Sequence, residues 1–294
     1  MNAPVAAPEL ERLFATLRPK LHRYCARMTG SAVDGEDVVQ SALMKAIEAL
    51  PRIDVVEQPE AWLFRIAHNA ALDFLRSRNR RDAVFQATDL EGVEDAADPI
   101  ADRQAVAVGL HTLMGLPPLQ RSTVVLMDVL GYSIEEITVI IGATIPAVKA
   151  ALHRGRGTLR RLAEMPPERP APHLDATMQA LLETYVDRFN ARDFDAIRDR
   201  LAEEVQLDLV ARQRRSGRND VVRYYSNYAS IRDCRLVAGT ADGRPAALAY
   251  TGDGPADRPS YFILLQWADG NLVGIRDFRY ARYAAEAAVL RPLA

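Results

Sequence analysis

Cysteine is scarce in this chain: of 294 residues only Cys25 and Cys234 are cysteines, far apart and outside any Cys-x-x-Cys or Cys/His spacing. That excludes a disulfide framework and a zinc site, and leaves both expected as half-buried thiols. No apolar run approaches the roughly 18–20 residues that a membrane helix needs. The first nine residues, with Pro4 and Pro8, lack the basic-then-apolar order of a signal peptide. A cytoplasmic protein with no membrane partner is expected. Charge of one sign is also missing, since 37 basic residues stand against 39 acidic ones for a net −2. A protein that coats DNA indiscriminately needs an excess of Lys and Arg to neutralise phosphates, so that class is excluded. No His/Asp pair, nucleophile elbow or metal-ligand spacing is present, so no catalytic residue, metal or cofactor is expected.

What the chain has is an uneven distribution of charge. Arg76, Arg78, Arg80 and Arg81 form one basic cluster, and Lys149, Arg154, Arg156, Arg160 and Arg161 form another. Between them Asp89, Glu91, Glu94, Asp95, Asp98 and Asp102 make an acidic tether, a pattern that suggests two DNA contacts on one chain. The tether loses helical periodicity and cannot bury enough apolar surface to order itself. Leu63, Ile66, Ala67, Ala70 and Phe74 recur at the three-and-four spacing of an amphipathic helix. A second break, residues 165–173, carries four prolines and is expected to be stiff and extended.

The segment from Gly131 to Arg156 carries the sharpest local motif. Ser133 can cap a helix with Glu136 completing a capping box, Gly142 ends that helix, and Thr144 can cap the next. Ile145, Val148 and Leu152 would form the buried stripe of this second helix, leaving Lys149, His153, Arg154 and Arg156 outside. Two short helices joined at a glycine, the second basic, suit the DNA major groove. A helical hairpin within a bundle, its basic face simply solvated, is the bland alternative.

The wider sequence resembles the extracytoplasmic-function (ECF) sigma factors. Leu116-Pro-Pro-Leu-Gln-Arg121, Val129-Leu-Gly-Tyr-Ser-Ile-Glu-Glu-Ile137 and Val148-Lys-Ala-Ala-Leu-His-Arg154 look like the family's −35-binding domain. Upstream, Asp34-Gly-Glu-Asp-Val-Val-Gln-Ser-Ala-Leu-Met-Lys-Ala46 resembles its polymerase-binding helix, and the stretch from Pro59 to Arg76 its −10-recognition segment. The resemblance implies core RNA polymerase and promoter DNA as partners. It implies Glu36, Asp37 and Gln40 as a polar edge toward polymerase, where a solvated helix face is the alternative. Asn69 and Asp73 would touch an extruded −10 base, with Arg76, Arg78, Arg80 and Arg81 on the phosphates; Lys149, Ala150, His153, Arg154 and Arg156 would serve the −35 element. Trp62 and Leu63 are expected in the core.

Beyond the proline-rich break, Met178, Leu181, Leu182, Tyr185, Val186 and Phe189 mark a helix. The period then changes to two over Tyr261–Trp267, and Asp242-Gly243 and Asp269-Gly270 read as hairpin turns between antiparallel strands. The pattern resembles SnoaL-like domains, a curved sheet and helices around a cone-shaped pocket. Tyr185, Phe189, Trp267 and Asp277 are candidates to line that pocket for an unknown small ligand. Asp277, on one face with Val273 and Ile275, is either a base in an apolar cavity or a partner of Arg276 or Arg279 after a bulge at Gly274.

The expected fold is thus multidomain: a sigma domain 2 over 8–82, an acidic linker over 83–104, a sigma domain 4 with the helix-turn-helix over 105–164, a proline-rich linker over 165–174 and an α+β SnoaL-like domain over 175–290. The first two domains are all-α, and the last is expected to regulate the others in cis. The linker lacks the Trp-Leu-Pro-Glu-Pro and the terminal domain the Asp-Gly-Gly-Gly associated with one such subgroup.

Overall fold

The computed structural model describes residues 7–52, 56–85, 110–164 and 174–293. The acidic run Asp89–Asp102 and the proline-rich stretch 165–173 lie outside them. Contacts divide the chain into two compact units, Met1–Glu168 and Arg169–Ala294. No helix among the described residues is long and apolar enough to cross a membrane.

The described part of the first unit is helical. α1 (Ala7–Thr29) ends at Gly30, whose φ of +81° turns the chain, and Ser31 caps α2 (Ala32–Ala49) by accepting the Asp34 amide at 3.2 Å. The two helices cross where Gly35 has no side chain: a Cβ there would stand 2.5 Å from the Ala26 nitrogen. α3 (Pro59–Phe85) packs Leu63, Phe64, Ala67, Ala71 and Leu75 against them. α4 (Leu110–Leu113), α5 (Pro118–Val124), a π-helical turn (Val125–Val129), α6 (Ile134–Ile141) and α7 (Ile145–Glu164) follow. One continuous apolar core runs from Phe14 to Leu159 and takes in residues of α1–α3 and of α5–α7. Trp62 packs on Phe14 and Leu63 is fully buried, as their helical spacing predicts. Polar links reinforce this core. Tyr132 donates to Glu60, while Lys20 lies 2.6 Å from the same carboxylate and 4.1 Å above the Tyr132 ring.

His68 is buried in that core, its Nδ1 2.7 Å from the Tyr24 hydroxyl. Burial lowers its pKa from 6.5 to about 4. The unfolded chain therefore binds a proton that the folded one refuses, and stability is lost as pH falls from 6.5 toward 4. The loss should reach on the order of 3 kcal/mol at the bottom of that window. His68→Gln, which keeps an acceptor for Tyr24, should flatten this dependence, with Trp62 fluorescence during urea unfolding in a Trp267→Phe background as the readout. An unchanged acid slope in the variant would count against it.

In the second unit, α8 (Ala176–Asn190) and α9 (Phe194–Arg198) precede β1 (Leu201–Leu209) and β2 (Gln213–Ser216). Next come α10 (Arg218–Ala229), β3 (Cys234–Ala241), β4 (Arg244–Thr251), β5 (Tyr261–Ala268), β6 (Asn271–Asp277), α11 (Tyr283–Ala287) and β7 (Leu290–Pro292). The strands form a sheet in the order β2-β1-β6-β5-β4-β3-β7. Both expected hairpin turns form, with φ of +50° and +79° at Asp242-Gly243 and +50° and +73° at Asp269-Gly270. The expectation of antiparallel strands alone needs correction, because β1 pairs with β6 in parallel. That pairing joins segments some sixty residues apart, which no local pattern encodes. Asn190 fixes α8 to the sheet by exchanging two 2.9 Å hydrogen bonds with the Leu236 backbone. Both cysteines are buried rather than half-buried, Cys25 under α1–α3 packing and Cys234 beside the Tyr261 hydroxyl at 3.3 Å.

Candidate functional site

The helix-turn-helix is built as its sequence dictates. The Glu136 amide donates to Ser133 Oγ at 3.2 Å and the Ser133 amide to Glu136 Oε2 at 2.8 Å, a complete capping box. Gly142 closes α6 in the left-handed conformation at φ +69°, and Thr144 Oγ1 accepts the Ala147 amide at 3.4 Å. Ile137, Ile140, Val148 and Leu152 are buried beneath. Gly155 lets α7 press on α5, since a Cβ there would stand 2.8 Å from Val124 Cγ2. This orientation leaves Lys149, His153 and Arg154 exposed and Ala150 half-buried on one face of α7.

Two expectations fail here. Ile145 is 42% exposed, because as the first residue of α7 it precedes the turn that packs. Arg156 does not stand free on the outer face: its Nε and Nη2 grip Asp128 at 3.0 and 2.6 Å, and that carboxylate is almost fully buried. It staples α7 to the π-helical turn.

On α3, Asn69 and Asp73 lie one turn apart and both are exposed. Asp73 is 3.3 Å from Arg76 and 3.6 Å from Lys45 of α2, so Lys45 joins this face, a residue that sequence reasoning missed. Arg76 and Arg80 are exposed, whereas Arg78 donates to the Thr29 carbonyl at 3.0 Å. Arg78 thereby supplies the cation that the C-terminus of α1 favours. The Arg81 side chain is outside the described residues.

On α2 the expected trio separates. Glu36 is 1% exposed and paired with Arg18, because the close crossing at Gly35 turns its neighbour inward against α1. It forms a core ion pair and is not part of an exposed polar edge. Asp37 and Gln40 stay half-buried on the outer side. Farther along the helix Met44 and Ile47 are 54% and 50% exposed. Their spacing of four and seven from Gln40 is the signal that could have found them.

In the second unit Asp277 is buried and fully engaged. It accepts from Tyr228 Oη at 2.8 Å, Tyr224 Oη at 3.0 Å and the Arg279 amide at 2.8 Å. Tyr228 and Tyr261 hydroxyls are 3.0 Å apart, extending the network. A register shift between Leu272 and Gly274 supplies a bulge in β6, but Arg276 pairs with Asp208 and Arg279 reaches Asp277 through its amide. Burial raises the Asp277 pKa, opposed by the bonds from Tyr228, Arg279 and Tyr224. For a carboxylate raised on folding the sign reverses from His68: stability falls as pH rises from 3.8 through the folded pKa. Asp277→Asn should flatten that fall, read from Trp267 fluorescence in a Trp62→Phe background. Identical pH profiles of variant and parent would contradict it.

The four candidate pocket residues divide at one cavity among the described residues. Tyr185 and Trp267 line an opening between α8, α9 and the β5–β6 hairpin, while Phe189 and Asp277 stand outside its wall. Phe189 is instead stacked edge-on between Phe194 and Tyr228.

Three family descriptions match along the chain: Sigma-70 region 2 over residues 13–81, Sigma-70 region 4 over 110–159 and a SnoaL-like domain over 182–275. The ECF RNA polymerase sigma factor SigG of Mycobacterium tuberculosis is 28% identical over 280 residues, covering 85% of this chain and 76% of its own. The ECF sigma factor SigM of the same species is 32% identical over 152 residues, 52% of this chain and 76% of its own. The sigma factor CarQ of Myxococcus xanthus is 34% identical over 161 residues, 53% of this chain and 90% of its own. The chain belongs to the ECF sigma factors of RNA polymerase.

Region 2 of this sigma factor coincides with α1–α3 and region 4 with α4–α7. One central residue escaped the sequence reading. Arg121, 4% exposed, donates to the Leu116 and Met114 carbonyls at 2.8 and 3.1 Å and to the Met28 carbonyl at the end of α1. It ties region 4 to region 2 and serves this sigma factor as a structural cation. Nothing in its local sequence distinguishes it from a solvated arginine.

Proposed function

We propose that this sigma factor docks on core polymerase through the outer face of α2, with Asp37 and Gln40 supplying polarity and Met44 and Ile47 the apolar anchor. Asn69, beside Asp73, reads an unstacked −10 base, and Arg76, Arg80 and Arg81 hold the flanking phosphates. α7 enters the −35 major groove with Lys149, Ala150, His153 and Arg154. The domain limits 8–82, 105–164 and 175–290, with linkers between them, are part of the same proposal, as is a cytoplasmic location. The observation that carries the reading is the exposed, basic face of α7 on a helix-turn-helix capped at Ser133, Gly142 and Thr144, in one chain with the exposed Asn69 face and apolar edge of region 2.

The SnoaL-like domain acts in cis as a regulator of transcription initiation and performs no catalysis. Support comes from Asp277, whose oxygens are already taken by three donors in a buried tyrosine cluster, leaving no base for a substrate. The test is transcription reconstituted from purified core enzyme and a promoter library. Transcripts should start only when this chain is added, from templates sharing −10 and −35 elements. A chain ending before Pro166 should change their yield. Transcription that needs a different sigma factor would overturn the proposal, and equal yields from full and shortened chains would remove its regulatory part.

A further inference from the structure

Arg188 and Arg200 stand on the wall of the cavity between α8, α9 and the β5–β6 hairpin, a space of about 120 Å³ whose lining includes the apolar Leu181, Ile197, Trp267 and Leu272. Neither guanidinium has a side-chain hydrogen bond or ion pair among the described residues. The contrast with Arg198 is informative, because that side chain, two residues from Arg200, holds Asp195 at 2.7 Å. Other polar groups around the opening are turned elsewhere: Thr184 Oγ1 donates back to the Ala180 carbonyl at 2.7 Å, and the Tyr185 hydroxyl faces Tyr225 at 3.4 Å. What the cavity offers a guest is therefore an apolar body with cations on its wall.

Two like charges beside one low-polarity space repel each other unless an anion joins them, and a guanidinium presents paired donors matched to a carboxylate. The size restricts the rest of the guest. An apolar cavity of roughly 150 Å³ takes up benzene, so this one suits a single ring or a short branched chain and is too small for a polycyclic compound. We infer that the SnoaL-like domain binds a small monocarboxylic acid with an aromatic or short aliphatic body, its carboxylate held by Arg188 and Arg200 and its body against Trp267. The site is separate from the Asp277 cluster, and the inference holds whether or not the domain regulates transcription.

Binding is measured on the full chain by calorimetry and by Trp267 fluorescence in a Trp62→Phe background, with benzoate and phenylacetate as probes. Benzamide, of the same shape without the charge, and inorganic phosphate, an anion without the apolar body, are the controls. Both acids should bind saturably at one site, with benzamide weaker by about tenfold or more, the loss of a charged hydrogen bond. Phosphate should show no saturable binding. Arg188→Gln and Arg200→Gln should each weaken benzoate by about tenfold while leaving benzamide unchanged. Leu181→Trp should fill the cavity and abolish binding of both, with unaltered melting showing that each variant folds. Equal affinity for benzoate and benzamide, saturable phosphate binding, undiminished binding by both arginine variants or no binding of either acid would each overturn the inference.

Discussion

Alanine at both Lys149 and Arg154 should lower promoter-dependent transcription by about two orders of magnitude, since a good base or phosphate contact is worth ~1–3 kcal/mol. The two side chains project from the same exposed face of α7, with His153 between them, and neither contributes to the core beneath. Folding and core polymerase binding should therefore be intact, and the melting temperature unchanged. If both contact phosphates, the slope of log affinity against log salt should become shallower by about two. Arg156→Ala is the matched control with the opposite signature. It leaves the buried Asp128 carboxylate without its bidentate partner, so thermal stability should fall while the salt slope stays as it was. A double variant with full transcription, or an Arg156→Ala protein with normal stability and a reduced salt slope, would reverse the assignment of roles on this helix.

Arg121→Met should destabilise the first unit by about 3 kcal/mol or more, because hydrogen bonds to a charged group contribute ~1.5–3 kcal/mol each and the carbonyls left behind are buried. The guanidinium spans Met28 at the end of α1 and Met114 and Leu116 before α5, so its loss releases both regions at once. Burial and the nearby Arg78 charge depress its pKa to about 10, and it stays charged at neutral pH. Arg121→Lys should recover part of the loss, its single ammonium being unable to span three carbonyls in the planar fork of arginine. Urea unfolding followed by Trp62 fluorescence in a Trp267→Phe background gives the number, and an unchanged midpoint for Arg121→Met would refute the bridging role.

The contrast between Arg121 and Lys149 shows what a sequence can disclose. Ser133, Glu136, Gly142 and Thr144 were legible because capping depends on neighbours three residues apart and on the left-handed conformation that glycine tolerates. The hairpins at Asp242-Gly243 and Asp269-Gly270 were legible for the same reason of locality. Glu36, Arg78, Arg121 and Arg156 were not, since each is a charge whose partner lies outside its own helical turn: Arg18, the Thr29 and Met28 carbonyls, and Asp128. Charge in a sequence reads as surface, and only packing decides whether it is a contact or a staple. The parallel β1–β6 pairing and the separation of Asp277 from Trp267 are tertiary facts of the same kind. Met44 and Ile47 are the converse, apolar residues that their spacing from Asp37 and Gln40 sets on the outer face and that the fold leaves exposed.

Promoter-directed transcription depends on recruitment of polymerase, and the most direct test is equilibrium binding of the purified full chain to core RNA polymerase free of other sigma subunits. Saturable one-to-one binding that an established sigma factor displaces, weakened at least tenfold by Met44→Glu with Ile47→Glu but unaffected by Lys149→Ala with Arg154→Ala, is the predicted result. Binding to promoter DNA alone, with no measurable affinity for core enzyme, would contradict it.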